Sequence, residues 1–416
     1  MKKEIIHAID KRNKLWKKYK TNNADDDLKQ KLQEESKLVS DSIQATKKAY
    51  YLKTFKECTD KPIKMWNLIN SLSNNKAKDS AHPAQLKVDS RIVTDLTEIC
   101  EEFNAYFSTI GSSLASKIPV THFQSYAADK IDKFSNLKPT SEDEILKIIY
   151  NLKTNTSSGL DEITIKSIKC IIPIVFHEFT NCINRCLDNG VFPDSLKIAK
   201  VTPIHKSGNK SEPGNYRPIS VLTTVSKIYK KIIYARLNEF LEAKNFLSPK
   251  QYGFRPKSNT LSATIDPVTN IKVKIDQKQI VLGIFIDLTK AFDTVSHDML
   301  LKKLSNLGIV DKAYNLLRSY LENRQQVVKI GQSRSGPRFV TCGVPQGSIL
   351  GPLLFLIYIN NICRDPTLYA DDTSLFYSGR SIEYVMITVQ KDLDLLNTWF
   401  QSNLLTMNIA KTNFFF

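Results

Sequence analysis

Over the first 75 positions the apolar residues recur at helical spacing. Leu15, Trp16, Tyr19, Leu28, Leu32, Leu38, Ile43, Tyr50, Leu52 and Phe55 are set among charged residues, with almost no Gly or Pro. This pattern predicts two long amphipathic helices, broken between positions 21 and 26. A polar stretch at 71–83 (SLSNNKAKDSAHP) marks a boundary. A helix follows over 96–110, with Phe103, Tyr106 and Phe107 on its packed face, and then loose sequence through Lys138 and Pro139. Residues 140–144 (TSEDE) carry a helix-start signal, and Ile145, Ile148, Ile149 and Leu152 supply the buried stripe. After a turn at 157–161, residues 163–187 read as one or two mainly buried helices broken at Pro173.

From there the pattern shortens toward strands. Residues 197–203 alternate, Lys206-Ser207-Gly208-Asn209 has turn chemistry, and 216–222 returns as extended chain leading into a helix over 226–243. Gln251-Tyr252-Gly253-Phe254-Arg255 forms a loop before a helix that Pro267 should end or kink. Residues 281–287 (VLGIFID) are a near-continuous apolar run closing on Asp287, as expected of a buried central strand that delivers an acid to its edge. The chain should then turn into a helix passing through His297, whose imidazole reads as structural. Residues 353–359 predict an apolar helix under the Asp287 strand. Finally, two short β-prone runs flank Tyr369-Ala370-Asp371-Asp372, a hairpin with two carboxylates at its tip.

The balance of 59 Lys plus Arg against 42 Asp plus Glu, net +17, favours a polyanionic partner. The basic residues concentrate in the first 64 positions and again at 197–231, which points to patches, with nucleic acid the natural candidate. Seven cysteines without a CxxC pair argue against structural zinc and a disulfide framework, and Cys182 and Cys186 are expected to be core thiols. No apolar stretch is long enough for a membrane span, so a soluble, intracellular protein is expected, cytoplasmic or nuclear.

Adjacent aspartates repel each other, so Asp371 and Asp372 need water or a cation. Alone, the pair also fits an ordinary Asp-rich turn. With Asp287 beside the hairpin, the carboxylates form a cluster suited to two divalent ions about 4 Å apart, the geometry that activates a 3′-hydroxyl and stabilises a leaving pyrophosphate. Lys206 and Arg217, on a basic hairpin, can lie over a triphosphate, or be two surface cations among many. Three of the 14 glycines fall at four-residue spacing in Gly343-Val344-Pro345-Gln346-Gly347-Ser348-Ile349-Leu350-Gly351, which implies close backbone approach; Gln346 there can probe a base or sugar edge.

The sequences IFIDLTKAFDTVSH, GVPQGSILGPLLF and LYADDT, in this order, resemble the reverse transcriptase of non-long-terminal-repeat retrotransposons, the LINE-like elements of jockey type. SSGLD, NYRPISVL and QYGFR extend the resemblance over most of the chain. It implies an α+β fold: right-hand polymerase fingers and palm after an N-terminal helical basic segment. The implied division is a basic helical linker at 1–75, a connector at 76–140, an N-terminal extension with fingers at 141–280, and a palm at 281–416. The resemblance further implies RNA-directed DNA polymerase activity. Asp287 and Asp371 would ligate two Mg²⁺ (Mn²⁺ as a substitute), with Asp372 beside them and the Leu288 carbonyl on the nucleotide-bound ion. Phe292 would exclude a 2′-hydroxyl, Lys206 and Arg217 would hold the triphosphate of a dNTP, and Gln346 with Gly347 would lie near nucleotide and template. Lys411 would protonate the departing pyrophosphate. An RNA template and a DNA primer or target DNA are the implied partners. Against the family pattern, an endonuclease and a thumb are expected to be missing, and the lead-in at 361–368 is short. A catalytically defective RNA-binding relic is therefore the alternative.

Overall fold

The computed structural model describes residues 3–21, 25–58, 61, 64–66, 68, 69, 83–88, 91–119, 133–364 and 366–416. Apart from Pro83, the polar boundary at 71–83 falls outside them. The chain divides into two compact units, Met1–Ser80 and Ala81–Phe416. In the first, helices Lys3–Thr21 and Asp26–Glu57 pack on each other, burying Ile5 and Val39, with Lys11 donating to Glu35 at 2.9 Å. Asp25 starts the second helix by accepting from the Leu28 amide. Trp16, Leu38, Tyr50 and Leu52 remain exposed.

Two sheets organise the second unit. In one, the strands run in the order Asn413–Phe415, Ile280–Ile286, Asp372–Gly379, Thr367–Tyr369, each antiparallel to its neighbour. Ile280–Ile286 is thus interior, as its apolar run requires. In the other, Tyr216–Val221 pairs antiparallel with Ile198–His205, which is parallel to Gln325–Ile330. Helix Leu96–Ala115, capped by Asp95, lies on this second sheet and buries Ile99, Phe103 and Phe107 with Val201, Tyr216 and Val328. Its buried Asn104 donates to Ser335 Oγ at 3.0 Å and to the Gly336 carbonyl at 2.8 Å, so the polar side chain inside this contact is satisfied.

Both prolines expected to interrupt helices lie inside continuous ones. Pro173 sits within Ile165–Asn189, whose Ile172, Ile183 and Leu187 are buried in the main core, the helix packing on helices Glu142–Asn151 and Asp311–Leu321. Burial along that face offsets the roughly 3 kcal/mol an interior proline costs. The helix is not mainly buried, however: Ile171 and Ile174 face solvent, Cys182 is exposed and Cys186 only half-buried, against the expectation of core thiols. Pro267 is itself buried in helix Thr260–Asp276, which crosses the strands of the first sheet.

Leu288 bridges Met407, residues 289–294 form successive turns and a bend, and helix His297–Asn306 begins only after the Ser296 cap. The apolar helix is Leu350–Ile359, every residue of which except Pro352 is buried. It packs on helices His297–Asn306 and Thr224–Ala243 and shares one buried cluster with Leu282, Ile284 and Ile286 of the Asp287 strand. Among the described residues no helix is long and apolar enough to cross a membrane.

Candidate active site

The register of the first sheet brings the acids together. Thr373 pairs with Ile286 on antiparallel strands, so one step further along Asp372 lies across from Asp287. Asp371 occupies the two-residue loop that joins Tyr369 to Asp372. Ala370, the other loop residue, has φ +61°, a left-handed conformation that costs an L side chain about 1 kcal/mol. Gln251 holds it there. The buried Gln251 side chain accepts from the Ala370 amide at 3.0 Å and the Gly253 amide at 2.8 Å, and donates to the Ala370 carbonyl at 3.3 Å. Gly253 lies so close beneath the loop that a Cβ there would meet the Ala370 nitrogen at 2.1 Å. The short lead-in strand, Thr367–Tyr369, is thereby tied to the rest of the unit.

Burial pushes the Asp371 carboxyl above the usual carboxylate range, and the charges of Asp372 and Asp287 push the same way, while Lys206 opposes them. Asp372 is raised as well, by loss of surrounding water and by Asp287. Asp287 has further partners of its own. Its Oδ2 accepts from Asn408 Nδ2 at 3.1 Å and lies 3.8 Å from Lys411 Nζ, while its carbonyl accepts from the Asn408 amide at 2.8 Å. The chain around Lys411 is thus pinned beside the strand that carries Asp287.

The second sheet brings the cations. Lys206 lies at the hairpin turn and Arg217 on the returning strand, opposite Ile204; both side chains are exposed. Partial burial lowers the Lys206 pKa, Lys411 and Arg217 lower it further, and Asp287 opposes them. Four of the expected residues, Lys206, Arg217, Lys411 and Asp287, therefore share one field with Asp371 and Asp372. Lys290 braces the junction by donating to the carbonyls of Gly214 and Tyr216, at 3.0 and 3.1 Å, immediately before Arg217.

Leu288 buries its side chain, so what it offers a ligand is backbone. Phe292 is half-buried, stacked on Phe355 with centroids 4.6 Å apart and edge-on to Phe254 at 6.0 Å. Gln346 donates to Asp293 Oδ1 at 2.9 Å, and its carbonyl accepts from the Ser220 amide at 2.9 Å. Gly347 follows at φ +92°, where a Cβ would approach the Ser220 carbonyl to 3.1 Å. Close approach of the glycine-rich loop is thus, at Gly347, to the strand carrying Arg217 and, at Gly343, to Asp293. His297 donates through Nε2 to the Gly343 carbonyl at 2.8 Å, a structural contact.

The expected two-ion cluster is not a ready-made ligand set. Among the described residues no group of three or more His, Cys, Asp or Glu side chains is disposed to hold a metal. Three like charges repel, and Asn408 and Lys411 occupy one oxygen of Asp287. The donors themselves suit a hard divalent cation, since they are carboxylate oxygens whose mutual repulsion such a cation would relieve. Sequence reasoning did not assign roles to Gln251, Asn408, Lys290 or Asp293. QYGFR was visible as a loop and as part of the family resemblance, with no role for its Gln251, and Asn408 only as the lead-in to Lys411.

Residues 204–416 match the family described as reverse transcriptase (RNA-dependent DNA polymerase). The chain is 33% identical over 289 residues to the probable RNA-directed DNA polymerase from transposon BS of Drosophila melanogaster, covering 66% of this chain and 32% of that protein. It is 29% identical over 310 residues to the corresponding probable polymerase from transposon X-element, covering 72% and 34%. To the RNA-directed DNA polymerase from mobile element jockey it is 28% identical over 289 residues, covering 66% and 31%. Both are from the same species. The chain spans about a third of the length of these relatives.

Proposed function

Because the chain belongs to the reverse transcriptase (RNA-dependent DNA polymerase) family, we propose that it extends a primer 3′-hydroxyl with dNTPs on an RNA template, as the polymerase part of a retrotransposon protein. The observation that carries this reading is the convergence of Asp287, Asp371 and Asp372 from one sheet with Lys206 and Arg217 from the other. Carboxylates face the position where a hydroxyl must lose its proton, and cations face the position of the triphosphate.

In the proposed reaction the primer 3′-oxygen attacks the α-phosphorus, the bond to the bridging oxygen breaks, and pyrophosphate leaves with Lys206 and Arg217 neutralising its charge. Lys411 Nζ holds a proton for the departing group. Asp287, Asp371 and Asp372 would hold divalent ions, with the Leu288 carbonyl as a further oxygen donor. When bound, those ions would supply Lewis-acid charge at the reacting oxygens. Lys411 must then yield its place beside Asp287. Phe292, backed by Phe355, limits the space on the sugar side and selects a deoxynucleotide. Gln346 and Gly347 bound the nucleotide from the loop. The net charge of +17 provides for RNA and primer, whose binding should weaken with salt.

The Lys411 ammonium 3.8 Å from Asp287 favours a second reading, in which the chain binds RNA without copying it. The two separate in one experiment with a primed RNA template, Mg²⁺ and dNTPs. The polymerase reading expects extension that Asp287→Asn abolishes while RNA affinity is unchanged. RNA binding without extension by the parent chain supports the second reading.

A further inference from the structure

The turn segment after Asp287 contains another carboxylate, Asp293, whose hydrogen bond goes to the glycine-rich loop. Its Oδ1 accepts from Gln346 Nε2 at 2.9 Å, and its Oδ2 is buried without a hydrogen-bond partner among the described residues. The backbone around it leaves little freedom. A Cβ on Gly111 would meet the Asp293 carbonyl at 2.1 Å, and one on Gly343 at 2.8 Å. The loop it bonds is fixed as well, since the amides of Gly343 and Val344 donate to the carbonyls of Val295 and Phe292 at 2.7 and 2.8 Å. With the Gln346 carbonyl held by Ser220, the side-chain amide is the part of Gln346 left to be oriented.

A carboxylate only accepts hydrogen bonds, whereas an amide has a donating and an accepting end. Asp293 therefore admits one orientation of the Gln346 amide, nitrogen inward and Oε1 outward. We propose that Asp293 is a positioning residue that sets the Gln346 amide so that its oxygen, not its nitrogen, is presented to a hydrogen-bond donor on the incoming nucleotide. The inference rests on the polymerase reading for the identity of that nucleotide. Lys290, the nearest cation, is spent on the Gly214 and Tyr216 carbonyls, so the Gln346 amide is the one hydrogen-bond donor to the Asp293 carboxylate among the described residues.

The test measures two quantities for each variant: KM and kcat for single-dNTP incorporation, and the Kd of a fluorescent dNTP on the complex with primed RNA. Asp293→Ala frees the amide and is expected to raise KM and Kd about tenfold with kcat nearly unchanged, the loss of one charge-assisted hydrogen bond. Asp293→Asn keeps an accepting oxygen and stays near the parent. Because Asp293 acts through Gln346, the double variant Asp293→Ala with Gln346→Ala is no worse than Gln346→Ala alone. If Asp293→Ala fails to fold, the exchanged pair decides. Gln346→Glu opposes two carboxylates and weakens nucleotide binding, and adding Asp293→Asn restores a donor facing an acceptor and recovers most of the loss. Effects that multiply in the double variant, or an exchanged pair no better than Gln346→Glu, overturn the proposal. A parent chain that binds the dNTP but does not incorporate it removes the polymerase reading, while the Kd series still decides the role of Asp293. A parent that binds no dNTP overturns both.

Discussion

Replacing Gln251 by Ala removes the side chain that holds the acidic hairpin in shape. The structure assigns it three hydrogen bonds, at 2.8, 3.0 and 3.3 Å, all to backbone groups of Gly253 and Ala370. Two of these satisfy N–H groups that a methyl side chain leaves buried without a partner. At roughly 1–3 kcal/mol for each orphaned group, and less for the long bond to the Ala370 carbonyl, the expected loss is about 3 kcal/mol. Part of it should appear locally, because Ala370 is held in a left-handed conformation that the loop alone does not favour. Urea unfolding measures the global loss, and hydrogen exchange over 367–376 measures the local one. Gly253→Ala should give a similar phenotype independently, since its Cβ would stand 2.1 Å from the Ala370 nitrogen. Ala370→Gly should recover about 1 kcal/mol in the Gln251→Ala background. A loss below about 1 kcal/mol for Gln251→Ala, with exchange over 367–376 unchanged, would refute the view that Gln251 holds this loop.

Asp293 carries a stability cost that depends on pH. Burial raises its carboxyl from 3.8 to about 6, so ionisation disfavours the folded state across that interval and the full cost is present above it. Asp293→Asn should therefore stabilise the protein by about 3 kcal/mol at pH 7.5, and the gain should fade as the pH drops toward 4, as read by urea unfolding at both pH values. Lys411→Ala removes the cation beside Asp287; divalent-ion affinity should rise several-fold, read by Mn²⁺ titration, while the maximal incorporation rate falls, and an unchanged affinity would mean that Lys411 does not compete for Asp287. Phe292→Ala should raise the use of ribonucleotides relative to dNTPs in a competition assay, at a cost of about 3 kcal/mol in stability from the lost stack on Phe355.

What was legible in the sequence was local. The apolar run ending at Asp287 predicted an interior strand because period and length decide that without reference to neighbours, and the β-prone runs around Asp371 predicted a hairpin for the same reason. The break expected at Pro173, and an end at Pro267, were overridden by packing, since each proline lies on a helix held along its length by partners distant in sequence. Cys182 misled in the opposite way, because a helical pattern places residues on faces but does not say how wide the buried face is. Gln251 and Ala370 are 119 residues apart, and Asn408 and Asp287 are 121 apart. No spacing rule links such pairs, so the residues that hold the site together were hidden while those that bear its charges were plain. The metal cluster was read from the strand, the hairpin and the family motifs, which show which donors can meet a cation but not that Asn408 and Lys411 occupy one oxygen of Asp287.

The catalytic role of the carboxylates is read out by incorporation of a single dNTP onto a DNA primer annealed to RNA, with Mg²⁺, by the parent chain and by Asp371→Asn. Incorporation by the parent and a loss of at least about a hundredfold in the variant are expected, with RNA binding retained in both. Equal incorporation by parent and variant would contradict the assignment of the carboxylate cluster as the catalytic centre.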